Sequence, residues 1–448
     1  MGQPETPQQP KDRRVKNFSE VSFGLTKSIA QTEARRCPQC AEPTCNSGCP
    51  LGIDIPGFIR ALREGDATAS LAKIKERNPL PAVCGRVCLA PCEPACIFND
   101  EGEPIAIRAL ERFAADNGRA RSRTPAATKG KTVAIIGSGP SGLTAAADLA
   151  HKGYSVTIFE SLPQAGGMLR YGIPEFRLPS KVLDAEIADI QALGVEIQTN
   201  VIVGEMTSFE ELTAAYHAVL LATGAGSPQP PGLSGDHLIG VYFAQELLLR
   251  VNMLSAANYP KSPTPALLGS HVAVIGSGYA ALDCARAALR LGKKASIIFA
   301  GLEEEIDVYP QERKDAIAEG VKLESLTRPL AIVGSKDNTV AGITCERLDF
   351  TDNASGKWDV KTVPGSEFML EADTVILAGG SRPSGAFKRF LPDLVWTPEG
   401  NVRVNELTGL TSLKNFFATG DLATSAGTVV DAMASGKRAA QKIAEYLN

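Results

Sequence analysis

No apolar run in these 448 residues approaches the ~18–20 residues that a membrane-crossing helix needs, and the opening MGQPETPQQPKDRR is polar where a secretory leader is apolar. The chain is therefore expected to be cytoplasmic, with no membrane span. Charge of one sign is not in excess either: 46 Lys and Arg against 50 Asp and Glu leave a net −4, which implies no nucleic-acid or membrane-surface partner. Low-complexity tracts are missing and histidine is scarce. His151, His217, His237 and His271 fall at strand or helix borders and read as structural, and no residue stands out as a catalytic acid or base. Against a domain of about 150 residues, the length predicts roughly two to four domains and excludes a fibre or a single small module.

What is abundant is cysteine, and only locally. Eight of the ten, Cys37, Cys40, Cys45, Cys49, Cys84, Cys88, Cys92 and Cys96, crowd into residues 37–96, while Cys284 and Cys345 read as buried spectators. In a chain without a leader, this density argues against disulfides and for thiolates that ligate metal. The eight form two groups, Cys37-x2-Cys40-x4-Cys45-x3-Cys49-Pro50 and Cys84-x3-Cys88-x3-Cys92-x3-Cys96, whose soft ligands suit iron–sulfur clusters or zinc. The Cys-Pro ending and short spacings are those of ferredoxin loops, in which the last cysteine of a run ligates the other cluster. Around them, residues 1–30 read as a mobile polar arm, FIRALREGDATASLAKIKER as amphipathic helix, and the basic connector at 119–131 as a domain boundary.

From Lys131 the pattern becomes strand, glycine turn, helix, in TVAIIGSGPSGLTAAADLAHKGYSVTIFE, and a second copy starts at His271. In the first copy Gly137, Gly139 and Gly142 form G-x-G-x-x-G with Pro140 and Ser141 between them, ahead of a helix whose N-terminus can receive a pyrophosphate. Glu160 closes the next strand, where a carboxylate accepts hydrogen bonds from adenosine ribose hydroxyls. FAD rather than NAD is indicated by GGMLRYGIPEFRLP, which contains Gly167 and Arg170, and by the late ATGD with Gly420 and Asp421. A helix starting near Thr428 would aim its positive end at the flavin. The pair Cys40-x4-Cys45 precedes this glycine turn, whereas a disulfide reductase carries such a pair after it.

The second copy reads Gly276, Gly278 and Ala281, an accepted variant suited to a nicotinamide dinucleotide. After its second strand stand Ala300 and Gly301, then Glu303 to Glu305, with no arginine for a 2′-phosphate, so NADH is expected over NADPH. The same glutamates read equally as a solvated helix start. Tyr279 follows the second glycine as a bulky side chain that could stack on the flavin, gate the pocket or block it. Zinc would account for eight thiolates but gives no reason to lie beside a flavin.

RRCPQCAEPTCNSGCPLGIDIPGFI, NPLPAVCGRVCLAPCEPAC, EPIAIRALERF, GGMLRYGIPEFRLP and ATGDLATSAGTVVDAMASGKRAA together make nearly the whole chain similar to one family. It resembles the small (β) subunit of glutamate synthase, and with it the large subunit of NADH-dependent ferredoxin–NADP oxidoreductase and the N-terminal half of dihydropyrimidine dehydrogenase. The resemblance implies an α/β chain in which a helical N-terminal domain with two [4Fe–4S] clusters (1–125) is followed by two Rossmann-like domains. FAD would lie in 126–240 with 381–448, and NAD(P) in 241–380, inserted in the first. One cluster would use Cys37, Cys40, Cys45 and Cys96, the other Cys49, Cys88 and Cys92 with Glu111 as a non-cysteine ligand and Cys84 as a bystander. From spacing alone Cys84 is as good a ligand as Glu111. Relatives that use NADPH carry Arg-Arg where this chain has Ala300-Gly301, and Asn or a small residue at Tyr279.

The function implied is an oxidoreductase subunit that passes electrons from a nicotinamide through FAD and the clusters to a partner subunit or a ferredoxin-like protein. The alternatives are an electron relay whose second site no longer binds nicotinamide, and a bifurcating flavoprotein.

Overall fold

The computed structural model describes residues 2–100, 103–119, 127–352, 358–424 and 427–448, so the expected boundary between 125 and 126 lies outside the described residues. The N-terminal region is helical: α1 Lys27–Arg36, α2 Ile55–Arg63, α3 Ala67–Lys75, α4 Pro81–Val87 and α5 Ile107–Asn117. Asp54 and Asp66 cap α2 and α3 by accepting the Gly57 and Ala69 N–H groups at 3.1 and 2.8 Å. Gly65, at φ +87°, turns the chain between them, so the single amphipathic stretch of the sequence is two helices rather than one.

Two five-stranded parallel sheets follow. In the first, β1 Thr132–Ile136, β2 Ser155–Phe159, β3 Glu196–Gln198, β4 Ala218–Leu221 and a late strand, β10 Phe416–Ala418, are ordered β10-β4-β1-β2-β3. In the second, β5 Val241–Phe243, β6 His271–Ile275, β7 Lys294–Ile298, β8 Lys322–Glu324 and β9 Thr374–Leu377 are ordered β5-β9-β6-β7-β8. Both central strands are near-continuous apolar runs because helices cover both faces. The helices used below are α6 Pro140–His151, α7 Ser180–Gln191, α8 Tyr279–Arg290, α9 Pro310–Glu319 and α10 Val429–Leu447. The chain leaves the first sheet through Ser227–Pro228 and returns through Ser381–Arg382, and these two segments pair antiparallel. Between β8 and β9 it also forms an antiparallel sheet built on Val340–Asp352, an element the sequence reading did not anticipate.

The N-terminal arm corrects its expectation. Val21 N–H donates to the Phe176 carbonyl at 3.0 Å, and Arg14, buried, places Nε 3.1 Å from Glu319 of α9. An arginine in a polar opening segment carries no sign in sequence of its distant carboxylate. His217 Nδ1 accepts the Thr132 N–H at 3.2 Å, a structural use, and Cys284 and Cys345 are buried. Among the described residues no helix is long and apolar enough to cross a membrane.

Candidate functional site

The first glycine turn joins β1 to α6. Gly137 has φ +108°, and a Cβ there would meet the Ala222 carbonyl at 2.5 Å. At Gly142 a Cβ would lie 2.1 Å from the Gly137 carbonyl, which is why helix and strand can approach only with glycine there. Gly139, by contrast, has no heavy atom beyond its chain neighbours within 4 Å of its Cβ position, just where Pro140 and Ser141 start α6, whose first turn has no side-chain cap and can bind an anion. That opening fits a pyrophosphate.

Other expected residues converge on this turn. A Cβ on Gly167 (φ +53°) would sit 2.8 Å from Gly139 Cα, and one on Gly420 would sit 2.6 Å from Ser141 Oγ. Helix α10 crosses α6 so closely that a Cβ on Gly436 would meet the Ser141 carbonyl at 2.2 Å. Thr428 caps α10 by accepting the Asp431 N–H at 3.2 Å. Asp421 accepts the Gly427 N–H at 3.2 Å, and burial pushes its carboxyl up. Glu160, buried at the end of β2, accepts from the Ser138 N–H at 3.0 Å, from the Ser138 hydroxyl, and from the Leu162 N–H at 2.9 Å. Arg170 is engaged by protein groups: it donates to the Ala165 carbonyl at 2.6 Å and pairs with Asp184.

The second turn repeats the geometry. A Cβ on Gly276 (φ +148°) would meet the Ala378 carbonyl at 2.6 Å, Gly278 faces open space, and Ala281 is buried against the strand. Tyr279, the next residue, is tied to two other elements. Its hydroxyl accepts the Tyr309 N–H at 3.0 Å, and the Arg177 guanidinium lies 4.1 Å above its ring. Arg177 in turn reaches Asp283 at 2.6 Å and Glu312 at 2.5 Å. Burial lifts the Asp283 carboxyl to about 6 against the pull of Arg177. For Glu312 burial is outweighed by Arg177 and Arg108, which hold it below the usual carboxylate range. Glu303–Glu305 form one short 3₁₀ turn in which Glu305 accepts the Leu302 N–H at 2.8 Å, and Arg313 donates to the Glu303 carbonyl at 2.7 Å.

All ten cysteines are free thiols. Cys37, Cys40, Cys45 and Cys96 form one group. Burial, then Cys37 and Cys96, push the Cys45 thiol up to about 11, and burial with Cys40 and Cys96 pushes Cys37 up. The loop around Cys45 is held to the loop ending at Cys96 by Thr44, whose hydroxyl donates to the Ala95 carbonyl at 2.5 Å. Cys49, Cys88, Cys92 and Glu111 line a second cavity with Cys84. Burial raises Cys88 to about 12 and raises Cys92 and Cys84 as well. It also lifts Glu111 to about 8, although Asn78 donates to its Oε1 at 2.8 Å. Thiols whose burial disfavours ionisation to this degree suit a cationic group that stabilises thiolate. Among the described residues no three His, Cys, Asp or Glu groups are placed to share a single metal ion. Soft thiols gathered in this way are donors of the kind that an iron–sulfur cluster takes.

Both pockets meet on α10: Val430 in its first turn lines the thiol cavity, and Met433 touches the Cys84 sulfur at 3.5 Å. The residues that join the units, Arg108, Arg177, Tyr309 and Glu312, carried no sequence signal, since each partner lies far away in the chain.

Residues 14–123 match the family described as dihydropyrimidine dehydrogenase domain II, 4Fe-4S cluster, and residues 131–436 the family pyridine nucleotide-disulphide oxidoreductase. The chain is 39% identical to the NADP(+)-dependent formate dehydrogenase subunit beta of Moorella thermoacetica, over 90% of this chain and 60% of that protein. It is 32% identical to the glutamate synthase [NADPH] small chain of Halomonas elongata, over 100% and 97%. It is 34% identical to the NADPH-Fe(3+) oxidoreductase subunit beta of Geobacter sulfurreducens, over 90% and 63%. The chain thus spans less than two thirds of the length of two of these relatives. In fold it is similar to FprA from Mycobacterium tuberculosis, with a TM-score of 0.57 and 20% identity over 72% of this chain and 85% of that one.

Proposed function

We infer the function from one premise: this chain belongs to the family of the glutamate synthase small chains and related oxidoreductase subunits, dependent on FAD and NAD(P) and carrying a 4Fe–4S domain. The reading is a cytoplasmic redox converter in which a nicotinamide dinucleotide, NADH by preference, supplies electrons that leave through two [4Fe–4S] clusters to a partner subunit or a ferredoxin-like protein. The observation that carries it is α10, which lies against the first glycine turn at Gly436 and walls the thiol cavity with Val430. When bound, FAD supplies the split of a hydride into two single-electron transfers, and the clusters supply one-electron storage.

The chain's own residues bind, orient and keep water out. The α6 N-terminus and Gly139 would receive the pyrophosphate, Glu160 a ribose hydroxyl, and the Thr428-capped end of α10 the anionic side of the flavin. Cys37, Cys40, Cys45 and Cys96 would hold one cluster. Cys49, Cys88 and Cys92 would hold the second, with Glu111, fixed by Asn78, as fourth ligand. Apolar walls such as Phe58 and Ile53 keep that cavity dry. The turn at Gly276 and Gly278, which repeats the geometry of the first, supports a working nicotinamide site over a silent relay, with Tyr279 fixed beside it by Arg177 and Tyr309.

Anaerobic purification followed by flavin and iron analysis, then titration with NADH and with NADPH, tests this reading. Bound FAD, about eight irons and bleaching of the visible flavin band by NADH are expected. Protein lacking both iron and flavin overturns it. The relatives' names specify NADP(H), so the nucleotide preference needs its own test. Installing Ala300→Arg with Gly301→Arg is expected to raise the NADPH-to-NADH ratio of kcat/KM at least tenfold, because each guanidinium–phosphate contact is worth about 1.5–3 kcal/mol. A chain that already prefers NADPH as wild type would refute the preference.

A further inference from the structure

Arg108 is a cation in an unfavourable place. It lies in the first turn of α5, where the helix field disfavours positive charge, and its side chain is largely buried. The placement is nonetheless fully built. Its backbone N–H donates to Glu93 Oε1 at 2.9 Å, its Nη1 donates to the Cys88 carbonyl at 3.0 Å, and its guanidinium lies 3.5 Å over the Tyr309 ring. Tyr309 reaches Glu93 through its hydroxyl at 3.0 Å. The only carboxylate that pairs with the Arg108 guanidinium among the described residues is Glu312, at 3.3 Å, and Glu312 makes a shorter pair, 2.5 Å, with Arg177. Glu312 is thus shared between two guanidiniums, Glu93 lies within electrostatic reach of Arg108, and the Arg108 charge sits one carbonyl away from Cys88.

We propose that Arg108 is a positioning residue that sets the electron affinity of the centre held by Cys49, Cys88 and Cys92, with Glu312 as the counterweight that limits its effect. The proposal rests on the reading that a cluster occupies this cavity. Reducing a cluster adds one negative charge. A buried guanidinium beside a ligand favours that state, and cluster potentials respond to nearby charge and to hydrogen bonds around the ligands. In this low-dielectric setting the charge acts at close range with little screening. Glu93 holds the Arg108 backbone and the Tyr309 hydroxyl, the Tyr309 ring lies under the guanidinium, and through Tyr309 and Glu312 the same contacts tie the cluster loop to the nicotinamide-binding unit.

The test is a reductive titration of the intact purified protein, following the cluster signal by electron paramagnetic resonance, with iron content measured in every sample. The signal lost in Cys88→Ser identifies the centre. In Arg108→Gln the ratio of reduced to oxidised centre at the wild-type midpoint is expected to fall about tenfold, equivalent to 59 mV for one electron. Arg108→Lys, which keeps the charge, is expected to stay within about threefold of wild type, whereas a purely structural role would make both variants alike. Glu312→Gln is expected to move the ratio several-fold the other way, and it decides the matter if Arg108→Gln does not retain its cluster. A cluster present in full with the same midpoint in wild type, Arg108→Gln and Glu312→Gln overturns the proposal alone. Absence of any signal that depends on Cys88 overturns the underlying reading instead.

Discussion

Glu319→Gln is expected to destabilise the chain by about 3–5 kcal/mol, more than any other single substitution of a charged side chain considered above. Glu319 is buried at the end of α9 and receives three guanidiniums: Arg286 at 2.9 and 2.8 Å, Arg290 at 2.7 and 3.1 Å, and Arg14 at 3.1 Å. Burial works against its charge, but Arg286 and Arg290 outweigh burial and hold the carboxyl down at about 2. Glutamine keeps the shape and removes the charge, leaving Arg286 and Arg290 without their carboxylate out of water and Arg14 with only its longer pair to Asp315 at 3.7 Å. The pH dependence follows from the sign of the shift. A carboxylate with its folded pKa below its unfolded one contributes stability that is present above the unfolded value, about 4.3, and is lost as pH falls toward about 2. Thermal melts at pH 7 should therefore show a large drop in Tm for Glu319→Gln, and the gap to wild type should narrow as pH falls from about 4. Because Arg14 belongs to the opening segment, limited proteolysis within the first twenty residues should also accelerate. A variant that melts like wild type at pH 7 would refute the assignment of Glu319 as the anchor of that arm.

Gly142→Ala is expected to reduce flavin retained on purification more than tenfold. The added methyl would lie 2.1 Å from the Gly137 carbonyl, a backbone atom held in a turn that only glycine adopts comfortably, so the turn itself must open. Gly139→Ala provides the contrast. Its methyl meets no protein atom within 4 Å beyond its chain neighbours, so the flavin-free variant should fold and melt like flavin-free wild type while flavin is lost on purification, because the methyl would project into the space proposed for the pyrophosphate. Absorbance of the purified proteins and their melting curves separate the cases. If Gly139→Ala retains full flavin, the first turn is not the pyrophosphate site.

Much of this molecule was readable before any coordinates. Gly137, Gly139 and Gly142 announce their turn because its constraints are local, and alternation of strand and helix around them implies parallel sheets. The cysteine spacing announced thiolate ligation for the same reason. Other residues gave misleading or silent signals. Arg170 stands in a flavin-like stretch and braces Ala165 and Asp184, and Tyr279, which in sequence could stack, gate or block, packs under Arg177. The opening arm looked mobile because a lone Arg14 does not advertise Glu319, and Gly65 divides what periodicity alone presented as continuous helix.

The sequence by itself determined the classes of local chemistry: two nucleotide-binding turns, two thiolate runs and the order of the units that carry them. Only the tertiary structure decided how those pieces meet. It laid α10 across the first turn and along the thiol cavity, and it closed Arg108, Glu312, Arg177, Tyr279 and Tyr309 into one contact between three units. The physical reason is range: a turn or a ligand spacing is fixed by neighbours along the chain, whereas buried charges and packed helices are fixed by partners that become neighbours only once the chain has folded.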